Sequence, residues 1–247
     1  MAKTRKGKTS VRLDQAILQN GLAETIEKAR ALVMAGRIRI DGKVALKAGH
    51  SVDANSMIDV STVGDYVSRG GIKLAHALDF FDINVDGQVA LDVGASTGGF
   101  TDCMLSRGAR RVFALDAGYG QFHYTLRRDE RVTVMERTNA RYPFRIDSTV
   151  SIATIDVSFI SITKLIPSIG AHVEKGGCII ALVKPQFEAR RSEVERGGVV
   201  KDPIIHAKVL GRTIFWLVSN GFRFRNLVPS VITGDRGNQE YFLLIEV

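Results

Sequence analysis

The chain has few cysteines, no long apolar run and no metal-ligand pattern, and each absence excludes a class of protein. Only two of its 247 residues are cysteine, Cys103 and Cys178, which favours free thiols in a reducing compartment over a disulfide-stapled secreted domain. No window reaches the roughly 18 uninterrupted apolar residues that a membrane span needs, and Met1 to Ser10 lacks the apolar core of a secretory signal. The histidines show no metal-ligand spacing. We therefore predict a soluble, cytoplasmic protein without a metal site.

Positive charge is concentrated at the start of the chain. Residues 1–60 hold 11 Lys and Arg against 6 Asp and Glu, whereas the remaining 187 residues hold 23 against 20. A small basic region next to a larger part whose positive and negative charges nearly cancel favours a polyanionic partner. Nucleic acid is a better candidate for this partner than a membrane surface. The length allows a small domain joined to a larger one.

The first sixty residues show the pattern of two helices followed by a hairpin. Apolar residues recur at helical spacing from Val11, a second helical pattern begins near Glu24, and residues 37–44 alternate around the turn Asp41-Gly42. This order resembles the small RNA-binding domain of the ribosomal protein S4 type. The resemblance implies that its basic residues contact RNA, and these are Arg12, Arg30, Arg37, Arg39 and Lys43. The alternative is a small helical module with a solvated basic face.

From about residue 69 the chain alternates between helical and strand patterns. The predicted strands are 89–93, 111–116, 132–136, 150–156 and 178–183, which indicates an α/β fold with a parallel sheet. The last two strands, 223–232 and 241–247, are separated by a connection that is long enough only for an antiparallel pair. Five parallel strands, a helix and a terminal hairpin resemble the Rossmann-like sheet of class I S-adenosylmethionine methyltransferases.

A glycine-rich turn follows the first of these strands. It lets the backbone approach a nucleotide-like ligand at the carboxyl end of the strand. The turn lacks the second glycine of the G-x-G-x-x-G dinucleotide fingerprint and resembles the S-adenosylmethionine turn of methyltransferases, with Asp116 placed for a ribose and Asn139 for an adenine. The predicted cofactor-binding residues are Asp92, Gly94, Ala95, Ser96, Thr97, Gly98, Gly99, Phe100, Asp116 and Asn139. The alternative is a tight turn that serves packing alone.

Charged residues end two further strands of the predicted sheet. Asp156 follows the fourth strand and Lys184 the fifth, and the ligand crevice of an open parallel sheet lies outside these carboxyl ends. If strand 223–232 is parallel to the others, the hairpin brings Glu240 to the same edge. With Lys73, in the segment Ser68-Arg69-Gly70-Gly71-Ile72-Lys73, these residues resemble the Lys-Asp-Lys-Glu tetrad of FtsJ-type RNA 2′-O-methyltransferases. Over residues 11–247 the chain resembles the TlyA family, also known as hemolysin A-like.

The resemblance implies a role for each of the four charges. A ribose 2′-hydroxyl is a poor nucleophile, so a positioned base must take its proton during attack on the methyl group. Lys184 is the predicted base, and Lys73 is the second cation, which favours the neutral form of Lys184. Asp156 orients Lys184, whereas Glu240 holds Lys73 or the ribose. Arg69 joins the predicted RNA contacts. The alternative is two surface ion pairs without chemistry.

These patterns predict an S4-like RNA-binding domain at residues 1–62, a linker at 63–68 and an FtsJ-like methyltransferase domain at 69–247. The resemblance implies S-adenosylmethionine-dependent 2′-O-methylation of ribosomal RNA, at a cytidine of an assembled subunit, by a monomer that does not bind membranes. Two alternatives stay open. One is a cytolysin, as the hemolysin name implies, and the other is a ribosome-binding protein without catalytic activity.

Overall fold

The computed structural model describes residues 10–34, 37–45, 47–53, 56–60 and 66–247. Contacts divide the chain into two units, with the boundary between residues 65 and 66. The predicted linker therefore overlaps the second unit at residues 66–68, and its other residues, 63–65, lie outside the described residues. Within the described residues, no helix has the length and apolar character needed to cross a membrane. No group of three or more His, Cys, Asp or Glu side chains there could hold a metal ion.

The first unit packs two short helices against short antiparallel strands. Its elements are β1 (Ser10–Arg12), α1 (Leu13–Gln19), α2 (Ile26–Met34), β2 (Ile38–Ile40), β3 (Lys43–Val44), β4 (Ser51–Asp53) and β5 (Ile58–Val60). β2 pairs with β3 and β5, and β1 pairs with β4. Asp41 and Gly42 both have positive φ, 50° and 79°, as a type I′ hairpin turn requires. The helical pattern at Val11 begins only at Leu13, because residues 10–12 pair as a strand.

The second unit alternates helices and strands. Its elements are α3 (Gly70–Phe81), β6 (Val89–Val93), α4 (Gly99–Ser106), β7 (Arg111–Leu115), α5 (Tyr124–Arg127), β8 (Val132–Met135), β9 (Val150–Ile155), α6 (Ile166–Gly170), β10 (Val173–Val183), α7 (Pro185–Glu188), α8 (Pro203–Ser219), β11 (Arg223–Pro229) and β12 (Tyr241–Glu246). Short 3₁₀ turns lie at Ile162–Lys164, Arg191–Glu193 and Asp235–Gly237.

Its seven strands form one sheet in the order β11-β12-β10-β9-β6-β7-β8. β6 to β10 are parallel, and β12 is inserted antiparallel between β10 and β11. β11 therefore runs in the same direction as the five parallel strands, which was the condition for bringing residue 240 to their carboxyl edge. β10 begins five residues before the predicted strand, because the polar stretch 174–177 carries a register shift in its pairing with β9. The predicted α/β fold class is confirmed.

Both faces of this sheet are covered. Neighbouring residues of one strand point to opposite faces, and accordingly Ala90 packs in the layer beneath α3 and α4, whereas Leu91 packs in the opposite layer with α6 and α8. Strands buried on both sides must be apolar at nearly every position. In the central strands β6 and β7, polar side chains are accordingly found only toward the ends, and the carboxyl ends form the edge that carries the candidate site.

Candidate active site

The glycine turn is bent by close contact with the end of the fourth parallel strand. Gly94 has φ +85°, and a Cβ at this residue would lie 2.3 Å from the backbone oxygen of Asp156. The amides of Gly94 and Ala95 both donate to the carbonyl of Leu115 (2.8 and 3.1 Å). Only glycine fits such a position, because L side chains rarely adopt this φ and the approaching backbone leaves no space. The turn is thereby fixed at the carboxyl edge of the sheet.

A cavity of about 230 Å³ lies over this turn, and we call it the first cavity. Its lining residues are Ser68, Arg69, Gly70, Lys73, Gly94, Ala95, Ser96, Thr97, Gly99, Phe100 and Asp156. Six of the predicted cofactor-binding residues are among them: Gly94, Ala95, Ser96, Thr97, Gly99 and Phe100. The cavity is thus walled by backbone on one side and by charged side chains on the other.

The other predicted cofactor-binding residues do not line the cavity, and two of them, Asp116 and Gly98, make contacts that hold the turn in place. The carboxylate of Asp116 accepts hydrogen bonds from the amides of Ser96 (2.7 Å) and Gly118 (2.6 Å). The space where Gly98 would carry a Cβ is filled by Leu126, whose Cδ1 is 2.4 Å away. Asn139 accepts from the amide of Arg141 (3.0 Å). Their contacts are therefore to neighbouring loops.

Asp92 lies beneath the turn and is fully buried. Its carboxylate accepts hydrogen bonds from the hydroxyls of Thr101 (2.7 Å) and Thr154 (3.0 Å). Burial raises the pKa of Asp92 to about 6, and these hydrogen bonds oppose the shift only in part. The side chain, which the sequence assigns to cofactor binding, has no exposed surface, so it acts on the turn from below by joining β6 to α4 and β9.

Replacing Asp92 with asparagine should change how stability depends on pH. The folded pKa of about 6 lies above the ordinary value, so the folded state binds more protons than the unfolded chain between about pH 4 and pH 6. Native Asp92 therefore lowers the free energy of unfolding as pH rises through that window. We expect the stability of Asp92→Asn relative to the native chain to increase by about 2–3 kcal/mol from pH 4 to pH 7. Urea unfolding at both pH values measures this, and a difference that does not change with pH would contradict it.

The four predicted catalytic residues form two ion pairs. Nζ of Lys73 donates to Oε2 of Glu240 at 2.6 Å, and the Glu240 side chain is only 2% exposed. Nζ of Lys184 lies 2.7 Å from Oδ1 of Asp156 at angles outside hydrogen-bond geometry, and it donates to the hydroxyl of Ser158 at 3.1 Å. Both lysine side chains are nearly buried, at 12% and 13% exposure. Such burial distinguishes the pairs from solvated surface pairs, which interact weakly.

A second cavity of about 260 Å³ adjoins these pairs. It is lined by Ser158, Phe159, Lys184, Gln186, Phe187, Gly198, Arg236, Asn238 and Glu240. Lys73 and Asp156 line the first cavity, whereas their partners Glu240 and Lys184 line the second. Each ion pair therefore joins the two cavities, and the four charges form the partition between them.

Phe159 is the most exposed large apolar side chain among the described residues, at 89%. Its φ is +66°, a conformation that is rare for a bulky residue. Its ring lies 5.0 Å from that of Phe187, measured between centroids. An aromatic wall thus stands at the mouth of the second cavity. Nothing in the sequence indicates a role for this residue, because a phenylalanine that follows a strand is typical of a buried core residue.

Gly234 was also missed by sequence reasoning. A Cβ at this residue would lie 1.9 Å from Oε1 of Glu240. The amide of Gly234 donates to the carbonyl of Asn238 (2.8 Å), which closes the connection between β11 and β12 around the carboxylate. The hairpin loop therefore encloses Glu240 and directs its other oxygen to Lys73.

The segment before α3 is fixed to the helix that follows the glycine turn. The amide of Val67 donates to Asp102 at 2.7 Å. Tyr66 fills the space beside Gly71, and burial raises its pKa to about 12. Ser68 occupies the space beside Gly99, and Arg69 lines the first cavity with its side chain exposed. Ser68 and Arg69 are therefore part of the cavity wall, and Tyr66 and Val67 fix the segment behind it.

The predicted RNA-binding residues of the first unit are partly held by local contacts. Arg12 and Arg30 both pair with the buried carboxylate of Asp14, and the hydrogen bond from Arg12 is the main cause that lowers the Asp14 pKa to about 2. Both arginine side chains remain half exposed. Arg39 donates to the carbonyl of Gly42 (3.4 Å) and Arg37 is half-buried. The side chain of Lys43 lies outside the described residues.

Known proteins resemble the chain over nearly its whole length. An FtsJ-like methyltransferase family matches residues 66–246, and the S4 domain family matches residues 11–58, which confirms both predicted resemblances. A relative from Mycobacterium tuberculosis named 16S/23S rRNA (cytidine-2′-O)-methyltransferase TlyA is 41% identical, with coverage of 94% of this chain and 88% of that protein. Hemolysin A of Brachyspira hyodysenteriae is 40% identical, with coverage of 94% and 98%.

The solved structures agree with these relatives. A protein described as a hemolysin of Streptococcus thermophilus is 40% identical, covers 97% of this chain and 89% of its own, and superposes with a TM-score of 0.73. Matches at this level cover both the basic first unit and the unit with the two cavities. The chain therefore belongs to the FtsJ-like methyltransferase family, in the group with an N-terminal S4 domain that includes TlyA and hemolysin A.

Proposed function

We propose that this chain is an S-adenosylmethionine-dependent 2′-O-methyltransferase of ribosomal RNA. The observation that carries the proposal is the partition between two cavities, formed by the partly buried ion pairs Lys73–Glu240 and Lys184–Asp156. A group-transfer enzyme needs such an arrangement, with the donor on one side, the acceptor on the other and charged groups between them. TlyA of M. tuberculosis is named for cytidine 2′-O-methylation of both 16S and 23S rRNA. A cytidine in an assembled subunit is accordingly the proposed acceptor.

The first cavity fits S-adenosylmethionine. Gly94 and Gly99 line this cavity without side chains, and the places where their Cβ atoms would lie are taken by the backbone of Asp156 and the hydroxyl of Ser68. The turn therefore presents backbone to the cavity, which allows a ligand to approach closely. The carboxylate of Asp156 faces this cavity and is suited to the positive charge of a sulfonium. When bound there, the cofactor supplies an electrophilic methyl group. Ser96, Thr97 and Phe100 would hold it with the glycines.

Lys184 is placed to accept the proton of a ribose hydroxyl in the second cavity. Its ammonium already contacts Asp156 and Ser158, so the side chain is held at the partition. Asp156 and Ser158 both offer oxygen acceptors to the N–H groups of Lys184, so the lone pair of the neutral amine stays free for the ribose proton. Lys73, held by Glu240, supplies positive charge near the oxygen that becomes an alkoxide.

The second cavity is suited to an unstacked nucleotide. Phe159 and Phe187 present aromatic faces at its mouth, and bases without a helical partner stack on aromatic side chains. We expect Phe159→Ala to raise the KM for RNA by about 5- to 100-fold, since one stacked base contributes about 1–3 kcal/mol. Steady-state methyl transfer measures this. Phe215→Ala, at a 75% exposed phenylalanine on α8, is the control, and an equal KM in the two variants would contradict the role of Phe159.

RNA as the acceptor is supported by the first unit. The S4 domain match covers residues 11–58, and this supports the proposal that Arg12, Arg30, Arg37, Arg39 and Lys43 contact RNA. Arg69 adds a cation at the rim of the first cavity. We propose an S4-like domain at residues 1–62, a linker at 63–68 and a methyltransferase domain at 69–247. We also propose that a monomer acts in the cytoplasm, where ribosomal subunits are found.

Methyl transfer to ribosomal subunits tests this function. The full chain is incubated with labelled S-adenosylmethionine and separated 30S or 50S subunits that lack the modification, and the product nucleotide is identified by mass spectrometry. We expect a 2′-O-methylated nucleotide in at least one subunit. No label in either subunit would overturn the proposal and leave the non-catalytic ribosome-binding protein. Leakage of RNA-free liposomes caused by the purified chain alone would favour a cytolysin.

A further inference from the structure

Three exposed tyrosines of the second unit each lie against an arginine. The guanidinium carbon of Arg137 is 4.2 Å from the ring centroid of Tyr119. The corresponding distances are 6.0 Å for Arg128 on Tyr124 and 5.9 Å for Arg141 on Tyr142. The tyrosines are 66%, 66% and 59% exposed, far more than a ring that serves packing. The six side chains lie within residues 119–142, and we call them the tyrosine–arginine surface.

The three arginines of this surface keep their charge available. Within the part of the chain that the structure describes, none of them pairs with a carboxylate within 4.0 Å, and all three are exposed. Neighbouring arginines behave differently, since Arg127 pairs with Glu136 and Arg131 with Asp129. The carboxylates of Asp129 and Glu136 are thus used by other residues, and the arginines beside the tyrosines face solvent.

The loops that carry the surface are held in shape by the partly buried side chain of Glu136. It accepts hydrogen bonds from the amide of Gly120 (2.8 Å) and from the guanidinium of Arg127 (2.6 Å). The amide of Arg137 donates to the carbonyl of Gly118 (3.0 Å). Arg137 itself has φ +54°, a conformation that costs free energy unless the surroundings enforce it. A preorganised display of this kind lowers the entropy cost of binding.

The surface lies on the same edge of the sheet as the candidate site. Residues 116–124 follow β7, and residues 136–142 follow β8, so both loops extend from carboxyl ends of parallel strands. Asp116, in the first loop, is hydrogen-bonded to Ser96 of the glycine turn. A long ligand that enters the site from this edge would therefore cross these loops.

We propose that the tyrosine–arginine surface binds RNA flanking the methylated nucleotide, with bases stacked on the tyrosines and phosphates at the arginines. Planar rings beside guanidinium groups suit single-stranded or looped RNA, because aromatic stacking tolerates any base and the cations follow the backbone. The proposal rests on the proposed function for its choice of RNA. It adds a contact surface of the methyltransferase unit to that of the S4 domain.

Two double variants and two matched controls test this surface. Arg137→Gln with Arg141→Gln removes charge from the surface, and Arg110→Gln with Lys175→Gln removes the same charge from exposed residues at the opposite edge of the sheet. Tyr124→Leu with Tyr142→Leu removes rings, and Phe80→Leu with Phe215→Leu removes two exposed rings of α3 and α8. Each variant is measured for binding to unmodified 30S and 50S subunits at several salt concentrations, and for S-adenosylmethionine affinity.

We expect the arginine variant to weaken subunit binding by about tenfold and to reduce the slope of log K against log salt by about 1.4–1.8 relative to its control. The tyrosine variant should weaken binding by about tenfold or more, with cofactor affinity within about twofold of the native chain. Subunit binding equal to that of the controls would overturn the proposed RNA contact of the surface, and so would a parallel loss of cofactor affinity. Binding that depends on the surface while the native chain transfers no methyl group would overturn the proposed reaction instead.

Discussion

Replacing Lys184 with alanine should reduce kcat for methyl transfer by about 10²- to 10⁴-fold, the range that a positioned general base contributes. Lys184 lines the second cavity and contacts both Asp156 and Ser158. Without it, no other lysine of the two ion pairs faces the acceptor side. S-adenosylmethionine affinity should change little, because Lys184 does not line the first cavity. Single-turnover transfer and calorimetric cofactor binding measure the two quantities separately.

Lys184→Arg separates proton transfer from charge. A guanidinium keeps a positive charge next to Asp156, but it cannot lose a proton in a protein. If Lys184 is the base, the arginine variant should be as inactive as the alanine variant. If the residue serves only to fix Asp156, arginine should restore most of the activity. Lys201→Ala, at an exposed lysine paired with Glu195, is the control for a lost surface charge. Activity of Lys184→Ala within tenfold of the control would exclude the base assignment.

The parts of the site that lie on the parallel strands could be predicted from the sequence. Ligand sites in open parallel sheets lie beyond the carboxyl ends of the strands, and the positions of Gly94, Asp156 and Lys184 follow from that topology. Glu240 could be placed only with the added condition that β11 is parallel to the others, which the structure satisfies. For these residues, the local sequence pattern and the topology rule were sufficient to predict their place at the edge of the sheet.

Lys73 shows where such reasoning stops. It lies on α3, which precedes the sheet, and no topology rule fixes which side chain of a covering helix reaches the edge. The structure brings it to Glu240, 167 residues later in the chain. The partition depends on this long-range pair, and Gly234 allows it by leaving space for the carboxylate. Neither the pairing nor the space could be predicted from sequence spacing, since both depend on how the hairpin loop closes.

The assignment of Asp92 failed for a related reason. An acid at the end of a strand before a glycine turn is typical of a ligand contact, yet its side chain points beneath the turn and binds two threonines. Successive residues of a strand point to opposite faces, but the pattern alone does not say which face is covered at the strand end. Phe159 is the converse case, because a residue typical of the core lies in solvent at the second cavity.

Gly94→Ala should have the second large effect, and Gly221→Ala is its matched control. Both glycines have positive φ, +85° and +84°, but a Cβ at Gly221 meets nothing within 4 Å, whereas at Gly94 it meets the backbone of Asp156 at 2.3 Å. The left-handed conformation alone should lower the free energy of unfolding by about 1–2 kcal/mol for Gly221→Ala. At Gly94 the clash adds about 1–3 kcal/mol, for a total of about 2–5 kcal/mol.

Cofactor affinity should separate these variants further. The backbone of Asp156 can relieve the clash at Gly94 only by moving away from the turn, and this shifts the carboxylate that faces the first cavity and contacts Lys184. We therefore expect S-adenosylmethionine binding and methyl transfer to be lost in Gly94→Ala and kept in Gly221→Ala, measured by calorimetry and single-turnover kinetics. Equal stability and equal cofactor affinity in the two variants would mean that the close approach of the turn to β9 is not needed. Glycine would then be required at residue 94 only for its positive φ, and the first cavity would not depend on the absence of a side chain there.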